Sequence, residues 1–500
     1  MEPIVEPSLR PLIAILASLV AVPLIVASGR RPNLRDTWSV LAALVKAGVV
    51  LSMLPDVLAG RMPTYRLWDV SPGIALELRV DTLGLVFAIV SSVLWVLTSF
   101  YAIGYVRGAG EKKQTRFFAS FALSLASAVG IAFAGNLLTF LIFFEMLTLA
   151  TYPLVLHKET DAARRGARTY LAYTLPAGIA LLIAIAITWS IAGSLEFVPG
   201  GFLDRTMASP ALLSTLFVLF VVGVGVKAGL MPMHAWLPAA MVAPTPVSAL
   251  LHAVAVVKAG VFGVLRVTGF VFGPKLMHEL SLDACLAWVA GTTVVLASLL
   301  ALSQDNLKRR LAYSTVGHLA YIVLGAALVN VWSWTGAILH LAFHATMKIT
   351  LFFCAGAIYV RTHKENVSEL AGIGRRMPFT MAAFAIGSLG LAGVPGINGF
   401  VSKLGLLNGT VQADQLALLA LRLLSGVLNA AYFFPIVHTA FFRRGDGEET
   451  GLAEASPWMV VPLVVTALFS VVLGIAPDLG VHAWDLAVAT ASQVTGGALP

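Results

Sequence analysis

Stretches of about twenty apolar residues recur along this chain and constrain its fold more than any other feature. A helix needs about 20 mostly apolar residues to cross a bilayer, and about fourteen such stretches can be placed in the sequence. The chain has 500 residues, of which 58% are hydrophobic and 12% are charged, whereas an ordinary soluble domain has about 25% charged residues. The sequence therefore predicts an all-α polytopic membrane protein with about 14 transmembrane helices.

Basic residues are concentrated in alternate loops of this predicted series, as Arg107, Lys113, Arg165 and Lys308 illustrate. Because basic loops stay on the cytoplasmic side, both termini are expected outside a cell membrane that the chain crosses many times. The net charge of +8 is explained by anchoring to anionic headgroups, and no nucleic-acid partner is expected.

The two cysteines, Cys285 and Cys354, stand apart in apolar segments. An iron–sulfur cluster or a structural zinc site needs grouped cysteines, which this spacing does not provide. Glycine-rich nucleotide-binding motifs are also missing. We therefore predict no cofactor and no metal, and expect the chain to be driven by an ion gradient or by a neighbouring subunit.

Two predicted spans, the seventh and the twelfth, are long and interrupted, by Lys227-Ala-Gly-Leu-Met-Pro232 and by Gly393-Val-Pro-Gly-Ile-Asn-Gly399. Proline removes a backbone donor and breaks a helix, and freed carbonyls persist at membrane depth only where they face protein or water. Matching breaks in two halves indicate an inverted repeat. Within a single membrane domain, residues 1–500, the predicted parts are helices 1–3 (1–105), a first five-helix repeat (116–270), a second (284–442) and helix 14 (457–475).

Five lysines fall within apolar stretches, namely Lys46, Lys227, Lys258, Lys348 and Lys403. A charge near the bilayer centre costs roughly 2.5–3.5 kcal/mol on insertion scales, so each lysine is a candidate functional residue. Lys46 is the weakest candidate because it lies outside both repeats and could be a snorkelling or interhelical lysine.

Glu145 is a carboxylate near the middle of an apolar span. Burial disfavours the charged forms of glutamate and lysine, whereas an opposite charge within about 4–6 Å favours them. We therefore expect Glu145 to pair with Lys227 so that their protonation is coupled. The alternative is a static ion pair that fixes helix packing.

The eleventh span places His340, His344 and Lys348 at four-residue steps, which stack on one helix face. Imidazole can accept a proton at one nitrogen and release it from the other, so this row suggests a proton relay. Zinc binding is a rival interpretation, but zinc sites use three or four ligands and only two histidines align on this face. Further candidates are His318, His252 and His234. Their alternative role is structural, as histidines that pack and form hydrogen bonds within the protein.

These motifs resemble the proton-conducting antiporter-like subunits of respiratory complex I, membrane-bound hydrogenases and Mrp-type sodium/proton antiporters. The resemblance rests on Lys227-Ala-Gly-Leu-Met-Pro-Met-His-Ala-Trp-Leu-Pro238, Ala243-Pro-Thr-Pro-Val-Ser-Ala-Leu-Leu-His252, Phe343-His-Ala-Thr-Met-Lys348 and Gly393-Val-Pro-Gly-Ile-Asn-Gly-Phe-Val-Ser-Lys403. It implies fourteen helices and a polar axis from Glu145 and Lys227, through Lys258 and the histidines with Lys348, to Lys403 at the end of the second half-channel.

Among the members of this family, the sequence is most similar to the D-like type of Mrp antiporter protein. Lys403 stands where one complex I type has glutamate, and the short segment after Ile475 differs from the long lateral helix of another. The alternative is a proton-pumping subunit of a complex I-type NADH/quinone oxidoreductase or a membrane-bound hydrogenase. Both imply a transporter subunit rather than an enzyme, partnered by other membrane subunits. The Mrp-type subunit would move protons against Na+ or another ion, whereas the subunit of a redox complex would form part of a translocase. A structural scaffold and a quinone-binding redox subunit are alternatives of a different class.

Overall fold

The computed structural model describes residues 4–443 and 451–499. Its first eight long helices are α1 (Arg10–Ala27), α2 (Pro32–Leu51), α3 (Thr82–Gly108), α4 (Gln114–Ala132), α5 (Leu137–Val155), α6 (Asp161–Ala192), α7 (Pro210–Ala228) and α8 (Thr245–Glu279). The remaining helices are α9 (Leu282–Leu302), α10 (Leu307–Ala327), α11 (Val331–Thr362), α12 (Pro378–Ala392), α13 (Asn398–Gln412), α14 (Leu416–Phe442), α15 (Pro457–Ile475) and α16 (Ala483–Thr495).

The polytopic all-α prediction is confirmed. In the described part of the chain, 12 helices are long and apolar enough to cross a membrane. The two other predicted spans coincide with α10 and with the broken pair α12 and α13. Short helical turns at Leu54–Leu58, Trp236–Ala239 and Ile373–Arg376 join some of the long helices.

Polar residues at helix ends satisfy backbone groups that the helices leave free. The Asn136 side chain accepts a hydrogen bond from the Thr139 amide at the start of α5, and Asp81 does the same for Gly84 at the start of α3. Asn330 and Ser333 form a reciprocal capping box at the start of α11. Such caps fix where each span begins and therefore the depth of the residues that follow.

Both predicted breaks are present. Helix α7 ends one residue after Lys227, where Gly229 adopts φ +68°, and α12 ends before Gly393, which adopts φ +95°. These positive φ values favour glycine and stop a right-handed helix. The inverted relation between residues 116–270 and 284–442 stays a prediction.

Helix α8 contains an irregularity that the sequence did not predict. Its α-helical centre, Val256–Arg266, lies between two π-helical segments, Leu250–Val254 and Val267–Phe272. A side chain at Gly260 could not be accommodated, because its Cβ would lie 2.1 Å from the backbone nitrogen of Ala228. The glycine thus lets α8 approach the broken end of α7 closely.

Helices α8 and α11 form the centre of the molecule. In each of them, all residues of the most apolar 18-residue stretch are buried. In α1, α6, α14 and α15, only 33% of the residues in the corresponding stretch are buried. Polar side chains on the two central helices are therefore shielded from lipid, as groups that are costly to expose to hydrocarbon need to be.

A small sheet that was not predicted from the sequence combines a strand before α1 with two strands in the polar stretch between α2 and α3. Strand β1 (Ile4–Pro7) pairs in parallel with β2 (Arg61–Ser71), which pairs antiparallel with β3 (Ile74–Arg79). The Asn136 side chain donates a hydrogen bond to the Ala75 carbonyl, so β3 is tied to the start of α5.

Candidate functional site

Lys227 and Glu145 are brought close together, but they do not form the expected ion pair. Lys227 lies in the last turn of α7 and is 1% exposed. Its Nζ donates to the Phe144 carbonyl and lies 3.4 Å from the centroid of the Phe144 ring. The Oε1 atom of Glu145 is buried and has no hydrogen-bond partner in the described chain. The prediction of a direct pair is therefore wrong for this conformation.

The reason is the direction of the Glu145 side chain. A Cβ at Gly178 of α6 would lie 2.7 Å from Glu145 Oε1, so the carboxyl group packs against this glycine. The charge of Glu145 still acts on Lys227 across the gap between α5 and α7. The two groups are thus electrostatically coupled without a direct contact.

Lys258 begins a connected row of titratable side chains. It lies in the α-helical centre of α8 with 0% exposure. Its Nζ is 2.8 Å from Nδ1 of His344 in α11. The ammonium can donate to a neutral imidazole nitrogen, or a neutral amine can accept from an imidazole N–H, so the contact can carry a proton in either direction.

Three histidines of α10 and α11 continue the row, which ends at Ser402 of α13. The rings of His318 and His344 have centroids 5.3 Å apart. His318 Nδ1 lies 3.1 Å from His340 Nε2, and His340 Nδ1 lies 2.9 Å from Ser402 Oγ. We call the side chains of Lys258, His344, His318, His340 and Ser402 the buried axis.

Lys403 lies at the broken twelfth span, next to the end of the buried axis. Its Nζ donates to the carbonyls of Leu391, at 2.5 Å, and Ala392, at 3.3 Å. These are the last carbonyls of α12. Because the helix ends there, no following turn supplies amide N–H groups to bond them. The C-terminus of a helix also carries a partial negative charge, which favours a cation. The break therefore supplies this lysine with hydrogen-bond acceptors and with a favourable electrostatic field.

Lys348 forms a branch rather than a further member of the row. Although it follows His344 by one turn, its Nζ donates to Ser314 Oγ at 2.9 Å and to the Leu311 carbonyl at 3.2 Å. The Tyr432 hydroxyl of α14 lies 2.9 Å from the same serine. The predicted row of three groups on α11 is thus divided between two polar clusters.

The remaining candidates lie outside these contacts. Both ring nitrogens of buried His252 lack partners in the described residues, and the ring packs on Phe352. His234 is half-buried in the turn after α7. Lys46 is fully buried between α2 and α3, and its Nζ lies 4.4 Å from the centroid of the Trp95 ring.

Two polar residues that sequence reasoning missed also lie beside the axis. The Tyr321 ring is 5.7 Å from that of His318 and 5.9 Å from that of His340. Its hydroxyl donates to the Arg422 carbonyl at 3.1 Å. A search of apolar spans for arginine as well as lysine finds Arg422, whereas no sequence signal marks Tyr321.

The charges in this region act on one another. Lys258 Nζ contacts His344, and the ring centroids of His318, His340 and His344 lie 5.3–5.8 Å apart, so their positive charges would repel one another. Each added proton therefore makes the next more costly, and protonation of the site is a property of the group rather than of single residues. Such an arrangement favours passing a proton along over accumulating several.

Comparison with protein families gives a match over residues 134–429 to the family described as NADH:quinone oxidoreductase/Mrp antiporter, TM. The matched region contains Glu145, Lys227, Lys258, Lys348 and Lys403. Lys46 lies outside it.

Two curated relatives illustrate the range of the family. The A/B component of a probable K(+)/H(+) antiporter of Rhizobium meliloti (strain 1021) is 32% identical over 453 residues, which are 87% of this chain and 44% of the relative. The NADH-quinone oxidoreductase subunit N of Desulforudis audaxviator (strain MP104C) is 31% identical over 481 residues, 91% of this chain and 95% of the relative. The chain thus spans less than half of the first relative and nearly all of the second.

Solved structures show the same fold. A chain of the archaeal membrane-bound sulfane sulfur reductase superposes with a TM-score of 0.88 at 24% identity, covering 98% of both chains. A chain of the Mrp complex from Dietzia sp. DQ12-45-1b gives 0.83 at 20% identity, covering 97% of both. From the family match and the relatives together, the chain belongs to the NADH:quinone oxidoreductase/Mrp antiporter transmembrane family.

Proposed function

We propose that this chain translocates protons as one subunit of a larger membrane complex. The observation that carries the proposal is the buried axis, in which Lys258 contacts His344 at 2.8 Å and His318 contacts His340 at 3.1 Å. These groups are 0% exposed and lie on the two central helices and α10. Titratable groups inside a membrane are costly, so a connected series of them points to ion transfer rather than packing.

The proton passes along this series by exchange of hydrogen-bond roles. A proton on Lys258 is handed to Nδ1 of His344, and the adjoining ring of His318 takes it over through a side-chain movement or an intervening water. His318 Nδ1 and His340 Nε2 share the next hydrogen bond, and Ser402 accepts from or donates to His340 Nδ1. Lys403 is the terminal group. Lys348, on Ser314, shifts the cost of each protonation state through its charge.

Glu145 and Lys227 bias the start of the series. In this structure the ammonium is held by the Phe144 carbonyl and ring while Glu145 faces α6. A swing of either side chain would close the ion pair and stabilise both charged forms. Opening it would release or bind a proton and change the field at Lys258. His252 stands beside Phe352, where a turn of its ring could extend the path.

The parent complex is best described as a multisubunit cation/proton antiporter of the Mrp type, in which this chain is the D-like member. Lys403, the potassium/proton antiporter relative and the fold shared with a chain of the Mrp complex support this choice. Na+ or another cation is the exchanged ion, and other membrane subunits are the partners. The chain itself catalyses no chemical reaction.

A second candidate is a proton-pumping subunit of a redox complex. The NADH-quinone oxidoreductase subunit N relative matches nearly end to end, and the archaeal reductase chain superposes with the higher TM-score. The subunit would then form part of a translocase that takes its energy from electron transfer elsewhere in the complex.

In either complex we place the chain in the cell membrane with both termini outside and the basic loops in the cytoplasm. Residues 116–270 and 284–442 are the two inverted units, each containing one of the broken spans. Cysteine labelling of loop residues in intact cells tests this orientation.

The proposal is tested with the complex purified through a tag on this chain and reconstituted in vesicles containing a pH-sensitive dye. Lys227→Ala and Glu145→Ala should each reduce proton flux by about 100-fold, the contribution of a group that transfers or activates a proton. Proton flux that survives both substitutions in an assembled complex would contradict this proposal, in which Glu145 and Lys227 control the entry of protons into the buried axis.

The same vesicles separate the two parent complexes. An antiporter moves protons when a Na+ or K+ gradient is applied without an electron donor. A redox pump moves them only when electrons are supplied to the complex.

A further inference from the structure

Arg422 is a buried cation beside the end of the buried axis, and the translocation mechanism above does not use it. It lies in α14, is 4% exposed, and donates from Nη1 to the Leu406 carbonyl of α13. Its Nε and Nη2 atoms are buried without hydrogen-bond partners in the described residues. Buried donors of this kind ordinarily bind a protein acceptor or a water molecule.

Carbonyl groups beside Arg422 already accept hydrogen bonds from side chains. The guanidinium covers the Leu406 carbonyl, and the Tyr321 hydroxyl donates to the Arg422 carbonyl. One turn before Leu406, Lys403 occupies the Leu391 and Ala392 carbonyls. Arginine has five donors and no acceptor, so the two unpartnered groups of Arg422 at this level are N–H groups.

A polar cavity lies at the end of α14 nearest Arg422. Its volume is about 440 Å³, and its lining includes Lys275, Asp283, Ala327, Leu328, Gln415 and Leu418. We call this cavity the vestibule. Leu418 precedes Arg422 by one helical turn and Leu328 follows Tyr321 by two, so both pairs share a helix face. Arg422 therefore lies one turn along α14 from the vestibule, and Tyr321 lies two turns along α10 from it, with its ring 5.9 Å from that of His340.

We propose that Arg422 is the specificity-determining residue of this end of the proton path, forming a donor-lined filter that binds water and excludes metal cations. The proposal rests on the proposed function. Hard cations such as Na+ need several oxygen ligands at close range, and a fixed guanidinium both withholds them and repels the ion. A proton needs no such ligands, because it can hop along water molecules whose oxygens face the N–H groups and through the Tyr321 hydroxyl.

The test measures proton flux in vesicles containing the complete complex, driven by a fixed Na+ concentration or, in a redox complex, by an electron donor at the face opposite the vestibule. The vestibule side is exposed to RbCl or to choline chloride at equal ionic strength. Arg422→Gln removes the charge and adds an acceptor oxygen, and Arg422→Met removes the charge and frees the Leu406 carbonyl. In both variants we expect half-inhibition of proton flux at a metal-ion concentration about tenfold lower than in the unsubstituted complex. Arg422→Lys keeps the charge and should retain the original insensitivity.

Lys275→Met is the matched control, because it removes one positive charge from the mouth of the vestibule, where Lys275 is exposed. It should leave metal-ion sensitivity unchanged. The proposal is overturned if assembled Arg422→Gln and Arg422→Met complexes conduct protons and resist metal salts as the unsubstituted complex does. It is also overturned if both lose proton flux in choline chloride while Arg422→Lys keeps it, because the charge would then serve conduction itself. Failure of the proposed function is recognised separately, by flux that survives Lys227→Ala and Glu145→Ala.

Discussion

Lys258 and Lys46 are both lysines with 0% exposed side chains in apolar spans, yet their surroundings differ. Lys258 contacts a histidine nitrogen at 2.8 Å, and that histidine adjoins two more imidazoles. Lys46 faces the Trp95 ring, and its Nζ has no hydrogen-bond partner in the described chain. A π face can attract a cation but cannot accept or return a proton. Burial alone therefore does not mark a transport lysine, whereas a titratable neighbour does.

The two lysines also differ in where their helices lie. Lys258 is on α8, in which every residue of the most apolar 18-residue stretch is buried. In the span that contains Lys46, 44% of the residues in the corresponding stretch are buried. The central position lets α8 contact both α10 and α11. The peripheral helix has lipid on one face and fewer polar neighbours to offer.

The largest expected effect separates these two lysines directly. Lys258→Met should lower proton flux by about 100-fold or more, because the side chain transfers the proton itself. Lys46→Met, an identical change at another buried site, should leave flux within about twofold, since a lysine with no titratable partner transfers nothing. Dye-reported flux in vesicles checks both, with assembly monitored by size-exclusion chromatography. Equal losses in the two variants would remove the distinction drawn between them.

A second contrast uses histidines in place of lysines. His340→Phe interrupts the contacts to His318 and Ser402 and should reduce flux by at least about tenfold. His252→Phe removes a buried ring whose nitrogens have no partners in the described residues, so a smaller loss is expected. If the His252 variant were the more impaired of the two, the path would run through the π-helical segment of α8 instead.

A smaller effect is expected at the position of the Glu145 side chain. Gly178→Ala places a methyl group 2.7 Å from Glu145 Oε1, which forces the carboxyl group to move. We expect flux to change by roughly fivefold, because a shifted charge alters the field at Lys227 by less than about 1 kcal/mol. Gly48→Ala is the control, since a Cβ there meets nothing within 4 Å. An unchanged flux in the Gly178 variant would argue that the direction of Glu145 is unimportant.

The smallest effect concerns stability rather than transport. Trp95→Phe weakens the cation–π contact with Lys46 and shrinks a fully buried ring, and should lower the free energy of unfolding by about 1–2 kcal/mol. Thermal unfolding of the purified complex measures this change, and proton flux at low temperature should stay unaltered. A loss of flux without a loss of stability would instead assign Lys46 a part in transport.

Much of the fold was predictable because a bilayer imposes strict local rules. Apolar runs and glycine–proline breaks act within one segment, and the positions of α1 to α15 and the interruptions after Lys227 and at Gly393 followed from them. The sheet and α16 were not predicted. Strands β1 and β2 are separated by two helices and pair through backbone groups, which leave little trace in side-chain patterns.

The candidate site divides in the same way. The sequence by itself determined which charges had to be accounted for, since a lysine, histidine or glutamate in an apolar span is costly wherever it lies. It also placed six of them in motifs of one family, namely Lys227, His234, His252, His344, Lys348 and Lys403. Only the tertiary structure decided their partners, because those partners come from different helices: Lys258 faces His344, Lys348 turns to Ser314, and Glu145 points to Gly178 instead of Lys227. Distances between helices depend on packing at small residues such as Gly260 and Gly178, and spacing along one helix carries no record of them.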